Sequence, residues 1–138
     1  MQNKALQRNV IAAVALAAGS TTFSAAHVAT WGKGVRLIIT VAAGATTTGG
    51  IDTVFLCGFA PGNTTPIPLV GFALASGLSV AGVYFADFYP GAWLPPTIAA
   101  GGNLLGVAGI YLPINWSVQL VMGAGSVATV TVDAEMLP

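Results

Sequence analysis

The sequence predicts an all-β fold: an antiparallel β-sandwich or jelly-roll-like domain of seven to eight strands behind a short N-terminal arm. Three observations predict it. Several stretches alternate apolar and polar residues with a period of two, clusters of Gly, Pro, Asn and Ser separate them, and no stretch reads as a helix. The clearest stretch runs from Gly32 to Val41, where Val35, Leu37, Ile39 and Val41 share one face and Arg36, Ile38 and Thr40 the other. A strand so patterned buries at least one face.

Taken in order, residues 1–8 read as an arm and residues 9–138 as the domain, with a first strand over Gln7 to Ala18. Gly19 to Ser24 reads as a turn and Ala25 to Thr30 as a bridge to the Val35–Val41 strand, which ends in the loop Ala42 to Gly50. Thr53 to Phe59 and Ile67 to Ala75 read as a hairpin about Ala60-Pro61-Gly62-Asn63-Thr64-Thr65-Pro66, a turn composition. Val80 to Phe88 is a further strand, ended by Tyr89-Pro90-Gly91. A long connection follows to Gly109, and connections of that length serve function or pack on a neighbour. Asn115 to Met122 places Trp116, Val118, Leu120 and Met122 on one face. Gly123-Ala124-Gly125-Ser126 is the tightest hairpin signal in the chain, and Val127 to Met136 closes the domain with Asp133 and Glu135 on its polar face.

Composition narrows the function. Of 138 residues, 6% are charged and 55% hydrophobic, with no net charge; ordinary soluble domains carry roughly 25% charged residues. A chain so composed is a membrane protein, a secreted fibre or coat component, or a subunit that buries much of its surface in an assembly. Prolines and glycines interrupt the uncharged run from Phe88 to Val132, so no clean helical span survives, and the strands are too few and irregular for an outer-membrane barrel. Lys4, Arg8, Lys33 and Arg36 all precede Asp52, Asp87, Asp133 and Glu135. That asymmetry suits a head-to-tail contact, although solvated tips on an apolar fold are the simpler reading. No basic run tracks phosphates, so nucleic acid is not an expected partner.

Catalysis finds little to work with. His27 has no acidic neighbour in sequence and reads as structural. Cys57 is the single cysteine and sits in the apolar run Val54 to Phe59, as a buried, inert thiol would. Asp133 and Glu135 point the same way on a strand, as a carboxylate pair or, more simply, a wet outer face. Trp31, Trp93 and Trp116 serve packing more readily than a sugar-binding groove. No metal-ligand spacing and no phosphate-binding glycine pattern occur. No enzyme activity, cofactor or metal is expected.

One further set of features concerns their order along the chain. Arg8-Asn9-Val10 opens an apolar strand and Gly34-Val35-Arg36-Leu37-Ile38-Ile39 forms the next. Tyr89-Pro90-Gly91 ends a later strand, Leu112-Pro113-Ile114-Asn115-Trp116-Ser117-Val118 opens another, and a Gly-containing hairpin precedes the last. In this the chain resembles a group of small β-sandwich virion structural proteins of tailed bacteriophages. The resemblance implies a capsid decoration or cement protein on the capsid exterior, with the major capsid protein and further copies of itself as partners. Trimeric packing is one arrangement that fits. The expected interface is the arm and the long loop: Lys4, Arg8, Tyr89, Pro90, Trp93, Leu94, Pro95, Leu104 and Leu105. Two alternatives stay open, a tail or connector component, and a secreted adhesin or carbohydrate-binding module with Val10 to Ala18 as the core of a leader.

Overall fold

The computed structural model describes residues 6–29, 33–47, 52–74, 81–90 and 104–137. They hold eleven strand segments and no helix: β1 (Leu6–Leu16), β2 (Thr21–Phe23), β3 (His27–Val28), β4 (Gly34–Val41), β5 (Thr46–Thr47), β6 (Asp52–Phe59), β7 (Pro66–Leu74), β8 (Gly82–Phe88), β9 (Leu104–Ala108), β10 (Asn115–Val121) and β11 (Ser126–Leu137). Eight of these have five or more residues: seven overlap strands read from the alternation, whereas β9 lies in the stretch up to Gly109 read as a connection. β2, β3 and β5 have two or three residues each, too short for a period of two to show, and lie in stretches read as turn, bridge and loop. β1 starts at Leu6, inside the stretch read as an arm, and Leu6 and Gln7 already pair with Glu135 and Ala134.

The strands form two sheets. One runs β1-β11-β4-β8-β9, with β5 added beside β11; the other runs β2-β10-β6-β7, with β3 beside β10. All pairs are antiparallel except β8–β9, which is parallel and departs from a fully antiparallel expectation. β4 sits in the middle of the first sheet, and its faces are those its alternation predicts. Val35, Leu37 and Ile39 are fully buried while Thr40 is exposed. Register carries the pattern outward, since Ile39 pairs with Val132 on one side and Tyr84 on the other. The same face of the second sheet presents Val54, Leu56, Trp116, Val118 and Leu120, and both sets belong to one core cluster. Phe72 of β7 and Phe88 of β8 meet across the sheets, with ring centroids 5.4 Å apart. Gly34 is required where the first sheet closes, because a Cβ there would meet the Phe88 carbonyl and the Tyr89 ring.

Two hairpin expectations have different outcomes. β6 and β7 do pair, with one bulge between Leu56 and Cys57. Residues 123–126 turn the chain, but β10 and β11 do not pair with each other: they belong to different sheets. A buried carboxylate anchors this turn. Asp52, 1% exposed, accepts a 2.8 Å hydrogen bond from the buried Gly123 N–H, and Gly19 N–H donates to the Gly123 carbonyl at 2.9 Å. The Gly123 carbonyl also accepts from Ser126 N–H at 3.1 Å, which closes the turn, and from it the chain passes to the other sheet, where β11 seats between β1 and β4.

Asp52→Ala therefore strands a buried N–H, which costs about 2 kcal/mol, whereas Asp52→Asn keeps an acceptor and loses less. Urea unfolding midpoints for the two variants check this; equal midpoints would show that the carboxylate does not hold the turn.

Candidate functional site

Of the predicted interface residues, five are described, and they lie on different parts of the first sheet. Tyr89 and Pro90 follow β8 and are half-buried, Tyr89 against Gly34. Leu104 and Leu105 open β9, one edge of the first sheet, while Arg8 lies in β1 at its opposite edge. Lys4, Trp93, Leu94 and Pro95 lie outside the described residues.

A different surface assembles at one end of the second sheet. The turn from Ala60 to Thr65 is built by its own residues: Asn63 N–H donates to the Ala60 carbonyl, and the Asn63 side-chain oxygen accepts from Thr65 N–H, both at 2.9 Å. Gly62 takes a positive φ of 73°, a conformation that suits glycine. Facing this turn, the chain entering β10 is tied down by Ala29 N–H donating to the Ile114 carbonyl at 2.8 Å. Between the two lies an open cleft of about 560 Å³ lined by Phe59, Asn63, Thr64, Pro113, Ile114 and Asn115, among others. Beside it, Leu69 and Pro113 pack over Gly58 in the space that a side chain would fill.

The rim is apolar and exposed. Tyr111 is 79% and Ile114 75% exposed, and Val28, Leu69 and Ile67 are each more than two-fifths exposed. Register places the β3 and β7 residues at the same end of the sheet: Val28 pairs with Asn115, and the next rung joins His27, Trp116, Gly58 and Ile67. No charged residue lines the cleft. Its chemistry is shape, apolar area and a few amide and hydroxyl groups, which suits contact with another surface. Sequence reasoning missed this end. Its signals were Ile67-Pro68-Leu69 and Leu112-Pro113-Ile114, apolar residues beside prolines that limit strand pairing.

Among the described residues, exposed Lys33, whose carbonyl accepts from Leu112 N–H at 3.3 Å, is the charge nearest this end, and an ion pair lies on the other sheet. Arg36 forms a two-pronged pair with Asp87, at 2.7 and 2.8 Å, on the outer face of the first sheet, with its guanidinium 5.5 Å from the Phe85 ring centre. The Asp87 hydrogen bonds, with smaller help from Glu135, hold the guanidinium pKa above its ordinary value. The sequence asymmetry of charge is thus met in part within one subunit, since Arg36 and Asp87 are register partners. Asp133 and Glu135 share this outer face. Among the described residues, no group of three His, Cys, Asp or Glu side chains could hold a metal.

Trp116 is fully buried and packs on the half-buried His27, so it cannot line an open sugar groove. Cys57 is buried as expected. Burial pushes its thiol pKa up, with a smaller opposing pull from Ser117, its register partner. A thiol-reactive dye should label Cys57 only as fast as the fold opens, with immediate labelling in denaturant. Labelling of the native protein at the rate of a free thiol would contradict the burial.

Protein-family models, curated protein sequences and solved structures were each compared with this chain, and none matches.

Proposed function

We propose that the chain is a virion structural protein, a capsid decoration or cement protein that stabilises a phage head by subunit contacts. On this reading the two sheets are the halves of a jelly-roll sandwich. The nesting of the strand pairs supports it. With β2 and β3 taken as one unit, and β5 and β9 left aside, eight units remain. The first pairs with the eighth, the second with the seventh, the third with the sixth and the fourth with the fifth. Winding one long antiparallel ribbon on itself produces this nesting. It also produces the orders first-eighth-third-sixth and second-seventh-fourth-fifth in the two sheets. Double-sheet jelly rolls serve viral capsids and lectins alike, so the fold argues by analogy only.

The observation that carries a contact role is the exposed apolar end formed by Val28, Ile67, Leu69, Tyr111 and Ile114. Exposed apolar surface of this kind marks a site of contact with another surface. On a lattice, many weak contacts add through avidity. A secreted carbohydrate-binding module loses one support, because the buried Trp116 offers no stacking face to a sugar.

Intact-mass spectrometry with quantification on purified native particles tests the proposal. The chain is expected at the copy number of a capsid lattice. A handful of copies per particle would make it a tail or connector component, and absence from particles would overturn the virion reading. Tyr111→Ser with Ile114→Asp should weaken retention on particles at least tenfold. Both positions are exposed, so stability should change by no more than about 0.5 kcal/mol each.

A further inference from the structure

We propose that His27 is a pH-sensitive clasp, and that protonation of its imidazole releases residues 20–29 from the edge of β10. This strip lies along β10 in two short pieces: β2 pairs with Gln119 to Val121, and β3 pairs with Asn115 and Trp116. Between them, Ser24 N–H donates to the Val118 carbonyl at 2.8 Å, and the Ser24 hydroxyl oxygen accepts from Val118 N–H at 2.9 Å. Thr21, Phe23, Ala25, Ala26 and Val28 are exposed, while Thr22, Ser24, His27 and Ala29 are half-buried. His27 is the largest side chain that the strip directs inward. Backbone bonds at an exposed edge with little buried side chain describe a unit that opens at low cost.

The one aromatic anchor is the His27 ring on Trp116, with centroids 4.9 Å apart and planes tilted by 33°. The His27 Nε2 and Trp116 Nε1 atoms are both buried without a hydrogen-bond partner. A neutral imidazole tolerates this. An imidazolium does not, because its second N–H would be a buried donor with no acceptor beside an indole N–H of the same polarity. β2, β3 and β10 carry no other titratable side chain. Cys57 and Asp52 lie on β6, Asp52 at its far end, and Tyr111 lies in the segment before β10. Across the core, Tyr84 is on the inner face of β8, whereas Arg36, Asp87, Asp133 and Glu135 are on the outer face. None of them offsets the cost, since burial is what lowers the His27 pKa.

The sign follows from linkage. With the strip closed, the pKa lies below the ordinary value of 6.5; with it open, the ring is solvated and returns toward that value. The open state therefore binds more protons. Closure is fully favoured above the ordinary pKa, weakens as pH falls below it, and has lost all it will lose below the closed-state pKa. Within that window the opening constant rises by up to about tenfold per pH unit, the limit for one proton.

Amide hydrogen exchange of the full chain, between about pH 7.5 and about pH 4.5, brackets an ordinary histidine and tests this. The measurement compares the native chain with His27→Phe, which keeps a ring on Trp116 and cannot titrate. The ratio of native to variant exchange rates cancels the intrinsic pH dependence. For residues 20–29 it should rise as pH falls, and for the β6 amides paired with β7 it should stay flat. A flat ratio for the strip overturns the proposal, and so does an equal rise in both regions, which would mean global unfolding. If His27→Phe does not fold, nuclear magnetic resonance of the native chain decides. Strip opening must share its midpoint with the His27 imidazole titration, and separate midpoints overturn the clasp.

Discussion

The structure depends on the register of β4. A strand with period-two alternation has one position at which its apolar side chains face the core, and a slip of one residue turns all of them outward. In β4 that slip would bury Arg36 and expose Val35, Leu37 and Ile39. Burying an unpaired guanidinium is costly, and the two-pronged bond to Asp87 holds Arg36 on the outer face beside its register partner. From β4 the constraint passes to β11 and then to β1 on one side, and to β8 and then β9 on the other. The ion pair is half-exposed and adds little stability of its own. Its contribution is to make the wrong register expensive.

Where one strand pattern contained the whole answer, the sequence was legible. The inward faces of β4, β10 and β11, the burial of Cys57 and the β6–β7 hairpin follow from alternation and turn composition alone. Trp116 belongs to the same class, since it shares a face with Val118, Leu120 and Met122. What could not be read were features decided by residues far apart. The turn at 123–126 has the composition of a hairpin, but the strands it joins lie in different sheets, and one of its anchors is Asp52, 71 residues away in sequence. β2 and β3 are strands only because β10 offers them an edge. β9 pairs in parallel with β8, an arrangement with no local sequence mark. The exposed end combines residues from β3, β7 and the segment before β10, and no linear motif joins them.

Segregation of charge explains how so apolar a chain keeps distinct surfaces. Arg36, Asp87, Asp133 and Glu135 occupy the outer face of the first sheet, and the far end of the second sheet carries exposed apolar side chains with none of them nearby in register. One face is suited to water and the other to a neighbour. β7, the edge strand beside the apolar end, carries Pro66 and Pro68, which cannot donate backbone hydrogen bonds, and a bulge at Leu69, where the register shifts opposite Leu56 and Cys57. Those features discourage strand addition along β7. Contact at this end therefore falls to side chains and shape rather than to an extended ladder.

The clasp and the apolar end share a residue pair. Val28 follows His27 in β3 and pairs with Asn115, which lines the cleft. Ala29, next in the chain, donates to the carbonyl of Ile114, the most exposed aliphatic side chain of the rim. Release of residues 20–29 would remove Val28 from that rim and free the backbone that positions Ile114, so the shape of the contact surface would change with the charge on His27. A partner fitted to the closed end would bind the neutral form of His27 more tightly. By reciprocity, its binding would lower the His27 pKa further.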